Sequence, residues 1–233
     1  MGVTCLVMGA TGLVGHEVTR GLLNSPEVEE VRILVRRPPD FKHPKLKVVA
    51  VDWDKLSVHR EAFHGVDRVF SCLGTTIKKA GSKDEFRKVD QHYVLAGAHL
   101  ALEAQVPQFL AVSSVGADPH AKAFYSRVKG EVEEELSSLG FKGMHLFRPS
   151  LLLGERKERR FGEDIASVVM KGLDFAFRGK LAPYRAVPAS TVARAMIKIA
   201  ISSPGGIHIY PNEVIHVLGK SGDDIIPSKG DVH

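Results

Sequence analysis

Apolar residues along the chain follow two habits: short unbroken runs, and longer stretches in which they recur at helical spacing. Thr4 to Met8 is a run of the first kind and reads as a strand buried on both faces. The chain then turns through glycines, and Leu13, Val14, Val18, Leu22 and Leu23 follow a helical period. Val31 to Val35 reads as a second strand, stopped by Pro38 and Pro39. A third covers Leu46 to Val51 and ends at Asp52, a fourth covers Val66 to Cys72 and ends at Leu73-Gly74, and a fifth covers Phe109 to Val112 and ends at Ser113-Ser114. Helical patterns fill 13–24, 54–64, 84–105 and 121–139. In the last of these, Phe124, Val128, Val132, Leu136 and Leu139 form one apolar stripe, Glu131, Glu134 and Glu135 take the other face, and Gly140 supplies a stop. A sixth strand at Met144 to Phe147, a helix near 191–201 and a last strand around 207–210 complete the pattern. Strands alternating with helices call for crossover connections and a parallel sheet, an α/β fold.

Composition narrows the reading. At 233 residues, 44% hydrophobic and 25% charged, the chain is long enough to bury a core without metal or disulfide staples. One domain is expected over 1–220, with a small cap from about residue 150 and a flexible tail over 221–233. Cys5 and Cys72 are far apart, with no CxxC pair and no secretory signal, so both are expected as reduced thiols in a cytoplasmic protein. No apolar run is long enough for a membrane span. Thirty-two basic residues against 27 acidic leave a net charge of +5, and the densest run, ERKERR at 155–160, has no aromatic partner, so nucleic-acid binding is not expected. The 11 histidines form no metal-binding motif.

Gly9-Ala10-Thr11-Gly12-Leu13-Val14-Gly15 stands where strand gives way to helix, the setting in which missing side chains let backbone approach a pyrophosphate and N–H groups face its charge. That context points to a dinucleotide cradle on a parallel sheet. The second strand ends in Arg36 and Arg37, where an acid would favour NAD(H). Two guanidinium groups suit a 2′-phosphate, which favours NADP(H) over NAD(H). Asp52 ends the third strand where it could meet the adenine amino group or cap a helix. Leu73-Gly74 lets backbone approach the dinucleotide, and Lys78, Lys79, Lys83, Arg87 and Lys88 follow. Tyr125 and Lys129 lie one helical turn apart on one face, so a lysine ammonium can lower the affinity of the phenol for its proton and hold ribose hydroxyls. Ser113 or Ser114 would polarise a reacting carbonyl. Strand alternation sends the two to opposite faces and leaves the choice open, with Ser114 preferred.

GATGLVG at 9–15, Arg36-Arg37, CLGTT at 72–76, VDQHYVL at 89–95, SSVGAD at 113–118, YSRVKGEVE at 125–133 and FRPSLLLGERKERR at 147–160 together resemble an atypical short-chain dehydrogenase/reductase, in particular the Tat-interacting, NADPH-binding oxidoreductase-like group. The resemblance implies an NADP(H)-binding fold of the Rossmann type, a doubly wound parallel sheet with helices on both faces, with Tyr125 as proton donor or acceptor, Lys129 on the ribose and a serine from the 113–114 pair. It also implies that Leu152 and Arg160 face the nicotinamide half. The expected function is hydride transfer to or from a small carbonyl or alcohol. The alternative, which the resemblance also supports, is an NADPH-binding regulator of a protein partner with little turnover. A cofactor-retaining isomerase is a third reading, poorly served by so small a cap.

Overall fold

Each apolar run becomes a strand, and the glycine and proline stops fall at strand or helix ends. The computed structural model describes residues 2–154 and 184–220. In chain order these form β1 (Val3–Met8), α1 (Leu13–Leu23), β2 (Val28–Val35), β3 (Leu46–Ala50), a 3-10 segment (Trp53–Phe63) and β4 (Arg68–Ser71). There follow α2 (Ile77–Ala80), α3 (Lys83–Arg87), a π turn (Lys88–His92), α4 (Tyr93–Glu103), β5 (Gln108–Val112), α5 (Phe124–Ser138) and β6 (Gly143–Arg148). The described chain closes with β7 (Leu152–Leu153), β8 (Val187–Pro188), α6 (Ala189–Ser202), β9 (Gly206–Pro211) and α7 (Asn212–Leu218).

Seven strands form one parallel sheet in the order β3-β2-β1-β4-β5-β6-β9, and β7 pairs with β8 in a separate two-stranded ladder. This is the Rossmann-type α/β fold. Because both faces are covered, the central strands are apolar throughout rather than alternating: Cys5, Leu6, Val7 and Met8 of β1 are all buried. One face packs Val7, Ile33, Phe70, Leu110 and Phe147 against α1 and α6. The other packs Leu6, Leu34, Val69, Phe109 and Leu146 beneath α4, α5 and the 3-10 segment.

Three expectations change. The helix expected at 54–64 is a kinked 3-10 segment, with non-helical backbone at Lys55 and His59. Its buried residues Trp53, Leu56, Ala62 and Phe63 make no continuous stripe. The helix expected over 84–105 is interrupted by the π turn at 88–92 and preceded by the short α2. Finally, α7, β7 and β8 were not anticipated. The expected tail over 221–233, and much of the expected cap, lie outside the described residues.

His145 of β6 is fully buried, stacked on His208 of β9 with centroids 5.5 Å apart, and its Nδ1 lies 3.2 Å from the Tyr210 hydroxyl. Burial, and then the neighbouring His208, push the imidazole down to about 4. An unfolded imidazole takes up its proton near 6.5, so between pH 6.5 and about 4 the unfolded chain binds the extra proton. Stability is therefore expected to be whole above pH 6.5 and to fall by roughly 1 kcal/mol per pH unit towards pH 4. Urea unfolding at several pH values checks this, and His145→Phe should flatten the slope over that window.

Candidate functional site

Because all seven strands run parallel, every strand-to-helix turn of the sheet leaves from the same rim. The chain departs from β1 towards β2 and β3 on one side and resumes at β4 on the other, so a crevice opens at the carboxyl ends of β1 and β4. The Gly9 turn occupies it. Gly9 has φ +82°, and a Cβ there would stand 2.6 Å from the Cys72 carbonyl oxygen. A Cβ on Gly15 would stand 2.1 Å from the Gly9 carbonyl oxygen, so helix α1 sits directly on the turn. Gly12 N–H donates to that carbonyl at 2.9 Å. Gly12 is also the N-cap of α1 and supplies no side-chain cap, and the first turn carries no acid. The positive end of α1 is thus free of any side-chain cap or acid, and the two cramped glycines bring bare backbone to the rim, the shape in which a pyrophosphate could be held. Thr11 is exposed, Leu13 half-buried and Val14 buried.

Along the rim, Arg36 and Arg37 are exposed, and neither makes an ion pair or hydrogen bond with another described residue. Asp52 accepts from Asp54 N–H at 3.1 Å, capping the 3-10 segment. Leu73 is half-buried and Gly74 exposed after β4. Burial pushes the Cys72 thiol up to about 12, and Cys5 likewise; neither forms a disulfide. Leu152, in β7, pairs with Val187 and packs on the α1/α6 core, and a Cβ on Gly154 would stand 3.0 Å from Leu13, which brings this strand onto the glycine turn. Asn212 holds the segment there, accepting from Ser150 N–H at 3.0 Å and donating to the Arg185 carbonyl at 2.8 Å. Arg160 and the 155–160 run lie outside the described residues.

The Tyr125/Lys129 helix is pressed onto the loop after β5. A Cβ on Gly130 would stand 2.2 Å from the Asp118 carbonyl carbon, and Asp118 N–H donates to the Ser126 carbonyl at 3.1 Å. This close approach holds the loop after β5 against α5, with Ser113 beside Lys129. Phe109, Ala111 and Ser113 share the face covered by α4 and α5. Ser113 lines a small cavity there with Asp90, Lys129 and Glu133, and its buried hydroxyl has no hydrogen-bond partner among the described residues. Ser114 falls on the other side, its hydroxyl donating to the Val115 carbonyl at 3.3 Å. Tyr125 is half-buried, its ring tilted against Phe86 at 5.4 Å.

Lys129 is 5% exposed and its Nζ lies 2.7 Å from Asp90 Oδ1. Burial alone would drive the ammonium to lose its proton; Asp90, then Tyr125 and Glu133, outweigh it and hold the group above its ordinary value. Glu133 is in turn held by Arg148 of β6, whose Nε is 3.0 Å from Oε1. Asp90 and Glu133 were absent from the expected site. The burial of Asp90, though not its partner, left a trace in the sequence: Phe86, Asp90, Val94 and Ala98 recur every four residues, so Asp90 is an acid on an apolar face.

The NAD(P)H-binding family profile matches residues 9–140, from the first glycine of the turn to the end of α5. The chain belongs to the NAD(P)H-binding family. Within this family it is 37% identical to the rat protein HTATIP2 over 221 residues, 93% of this chain and 89% of that protein. It is 31% identical to the Candida albicans protein FMP52, mitochondrial, over 230 residues, 96% and 97% of the two chains. Among solved structures, MoeE5 in complex with UDP-glucose and NAD superposes with a TM-score of 0.67 at 16% identity, covering 92% of this chain and 80% of that one. The oxidoreductase ylbE from Lactococcus lactis superposes at 0.64 and 16% identity, covering 93% and 96%. These two share the family's Rossmann fold. No helix among the described residues is long and apolar enough to cross a membrane, and among them no three His, Cys, Asp or Glu side chains gather as metal ligands.

Proposed function

We propose that this chain is an NADP(H)-dependent oxidoreductase that transfers hydride to or from a small carbonyl or alcohol, with Tyr125 as proton donor or acceptor. Supporting this reading above all is Lys129, a buried ammonium kept charged one helical turn from a phenol. A chain that only stored the dinucleotide would need the glycine cradle but no such pair. When bound, the nicotinamide supplies the hydride chemistry. The backbone of the Gly9, Gly12 and Gly15 turn would bind the pyrophosphate, Arg36 and Arg37 the 2′-phosphate, and Lys129 the ribose hydroxyls. Tyr125 would carry the proton to or from the substrate oxygen, and Ser113 or Ser114 would donate to that oxygen. The orphaned hydroxyl of Ser113 favours the first of these serines, against the preference for Ser114 held from the sequence.

Replacing Arg36 and Arg37 together by Ala is expected to raise the Kd for NADPH about tenfold to a hundredfold and leave that for NADH within about twofold. Calorimetric titration checks it; equal affinities of the parent for the two cofactors would refute the preference.

One observation favours a second reading, an NADPH-binding regulator of a protein partner with little turnover. The Asp90 carboxylate offsets part of the field that Lys129 projects towards Tyr125. Tight NADPH binding together with silence across a panel of aldehydes, ketones and alcohols selects it. Two free thiols support a cytoplasmic location, whereas the fungal relatives are named mitochondrial; cell fractionation decides.

A further inference from the structure

Asp90 is 1% exposed, lies in the π turn, and divides its two oxygens between different elements. Oδ1 meets Lys129 Nζ of α5 at 2.7 Å, and Oδ2 accepts from the Thr75 N–H of the loop after β4 at 2.8 Å. Gly74 stands over the same carboxylate, where a Cβ would lie 3.5 Å from Oδ1. A single buried group therefore joins the loop at 73–76 to the helix that carries Tyr125.

Stability does not account for it. Burying two charges costs several kcal/mol per ion, and two apolar side chains of equal volume would pack as well without that cost. The residues around the pair are apolar or already engaged. Phe86 and Val94 flank Asp90 on its own helical run, and Arg87 of α3 is taken by Glu131 and Gln91. From α5, Tyr125 and Glu133 face Lys129, and Glu133 is committed to Arg148 of β6. From β5 comes the neutral hydroxyl of Ser113. Asp90 is thus the carboxylate ion-paired directly with the ammonium.

Resting on the oxidoreductase reading, we infer that Asp90 is the positioning residue of the site, fixing the Lys129 ammonium and the Thr75 amide at one point so that helix and loop meet the nicotinamide half as one rigid wall. It touches neither substrate nor cofactor and acts through Lys129. Without it, Lys129 would stay buried but lose both its aim and the charge that offsets burial.

The test is Asp90→Asn, in protein labelled with 13C at lysine Cε, with the Lys129 resonance assigned by its loss in Lys129→Met. In the parent, Lys129 should keep its proton above the ordinary lysine value, and in Asp90→Asn release it at least about one pH unit lower. At neutral pH kcat should fall about tenfold or more while the Kd for NADPH, weakened at one ribose contact only, rises no more than about fivefold, a split that a general loss of structure does not produce. An unmoved Lys129 titration, or an unchanged kcat in an active parent, overturns the inference. Should Asp90→Asn not fold, Asp90→Glu serves: it keeps the charge but lengthens the arm, so Lys129 should still titrate high while kcat falls, and undiminished kcat overturns the proposal. If the parent shows no turnover at all, the oxidoreductase reading fails by itself, and the lysine titration still decides whether Asp90 sets the state of Lys129.

Discussion

Tyr125→Phe is expected to bind NADPH within about twofold of the parent and to turn over substrate about a thousandfold more slowly, the range in which a positioned acid or base contributes. The substitution removes one oxygen and leaves the ring, so the tilted contact with Phe86 at 5.4 Å survives. Tyr125 is half-buried and no hydrogen bond of its hydroxyl to another described residue is seen, so the loss of that hydroxyl should cost no more than about 1 kcal/mol of stability. Lys129 keeps its partner Asp90 at 2.7 Å, so cofactor contacts made through the ammonium are retained. What disappears is the proton that must move when hydride reaches or leaves the substrate carbon. Loss of kcat with unchanged Kd is then the signature of chemistry, read from NADPH absorbance and calorimetry on one sample. Retained turnover would remove Tyr125 from its role. An inactive parent with a tight Kd would leave the phenol without a reaction to serve and would select the regulatory reading.

How far the sequence foretold this arrangement depended on which interactions are local. The strands were legible because sheet burial on both faces produces unbroken apolar runs such as Cys5 to Met8, and the glycine turn because its demands on backbone lie within seven residues. The pairing of Tyr125 with Lys129 was legible for the same reason, being one turn of a helix. The 3-10 segment was not, because Trp53, Leu56 and Phe63 reach the core from a kinked backbone whose bends follow packing rather than propensity. Nor was the pairing of Asp90 with Lys129, 39 positions apart in the sequence: it depends on α4 and α5 lying side by side on one sheet face, which no local spacing encodes. The choice between Ser113 and Ser114 needed the register of β5, and only its packing, with Phe109 and Ala111 on the α4/α5 side, shows which serine faces Lys129. Arg36 and Arg37 sit at the rim where the second strand was expected to leave them, exposed and unpaired among the described residues.

Gly15→Ala should abolish the cradle, although helix propensity argues the other way. Alanine in place of glycine within a helix such as α1 ordinarily stabilises by about 1 kcal/mol. At position 15, however, the added carbon would meet Gly9 O at 2.1 Å, Gly9 C at 2.7 Å and Ala10 Cα at 3.0 Å, all backbone atoms. No side chain can rotate to relieve this, so α1 must lift from the turn or the turn must leave the crevice. Gly9 has little freedom to yield, with φ at +82° and the Cys72 carbonyl against its other side. Overpacking of this kind costs about 1 to 3 kcal/mol even where side chains can adjust, so the net change should be a loss of roughly 2 kcal/mol or more. The pyrophosphate amides move with the turn, and the Kd for NADPH should rise at least about tenfold. Gly21→Ala is the internal control: in the same helix, its Cβ meets only Ile197 Cδ1 at 2.5 Å, the tip of a side chain that can swing aside. That variant should stay within about 1 kcal/mol of the parent and bind NADPH unchanged. If urea unfolding and calorimetry found the two variants alike, the contact between α1 and the turn would not be what shapes the dinucleotide site.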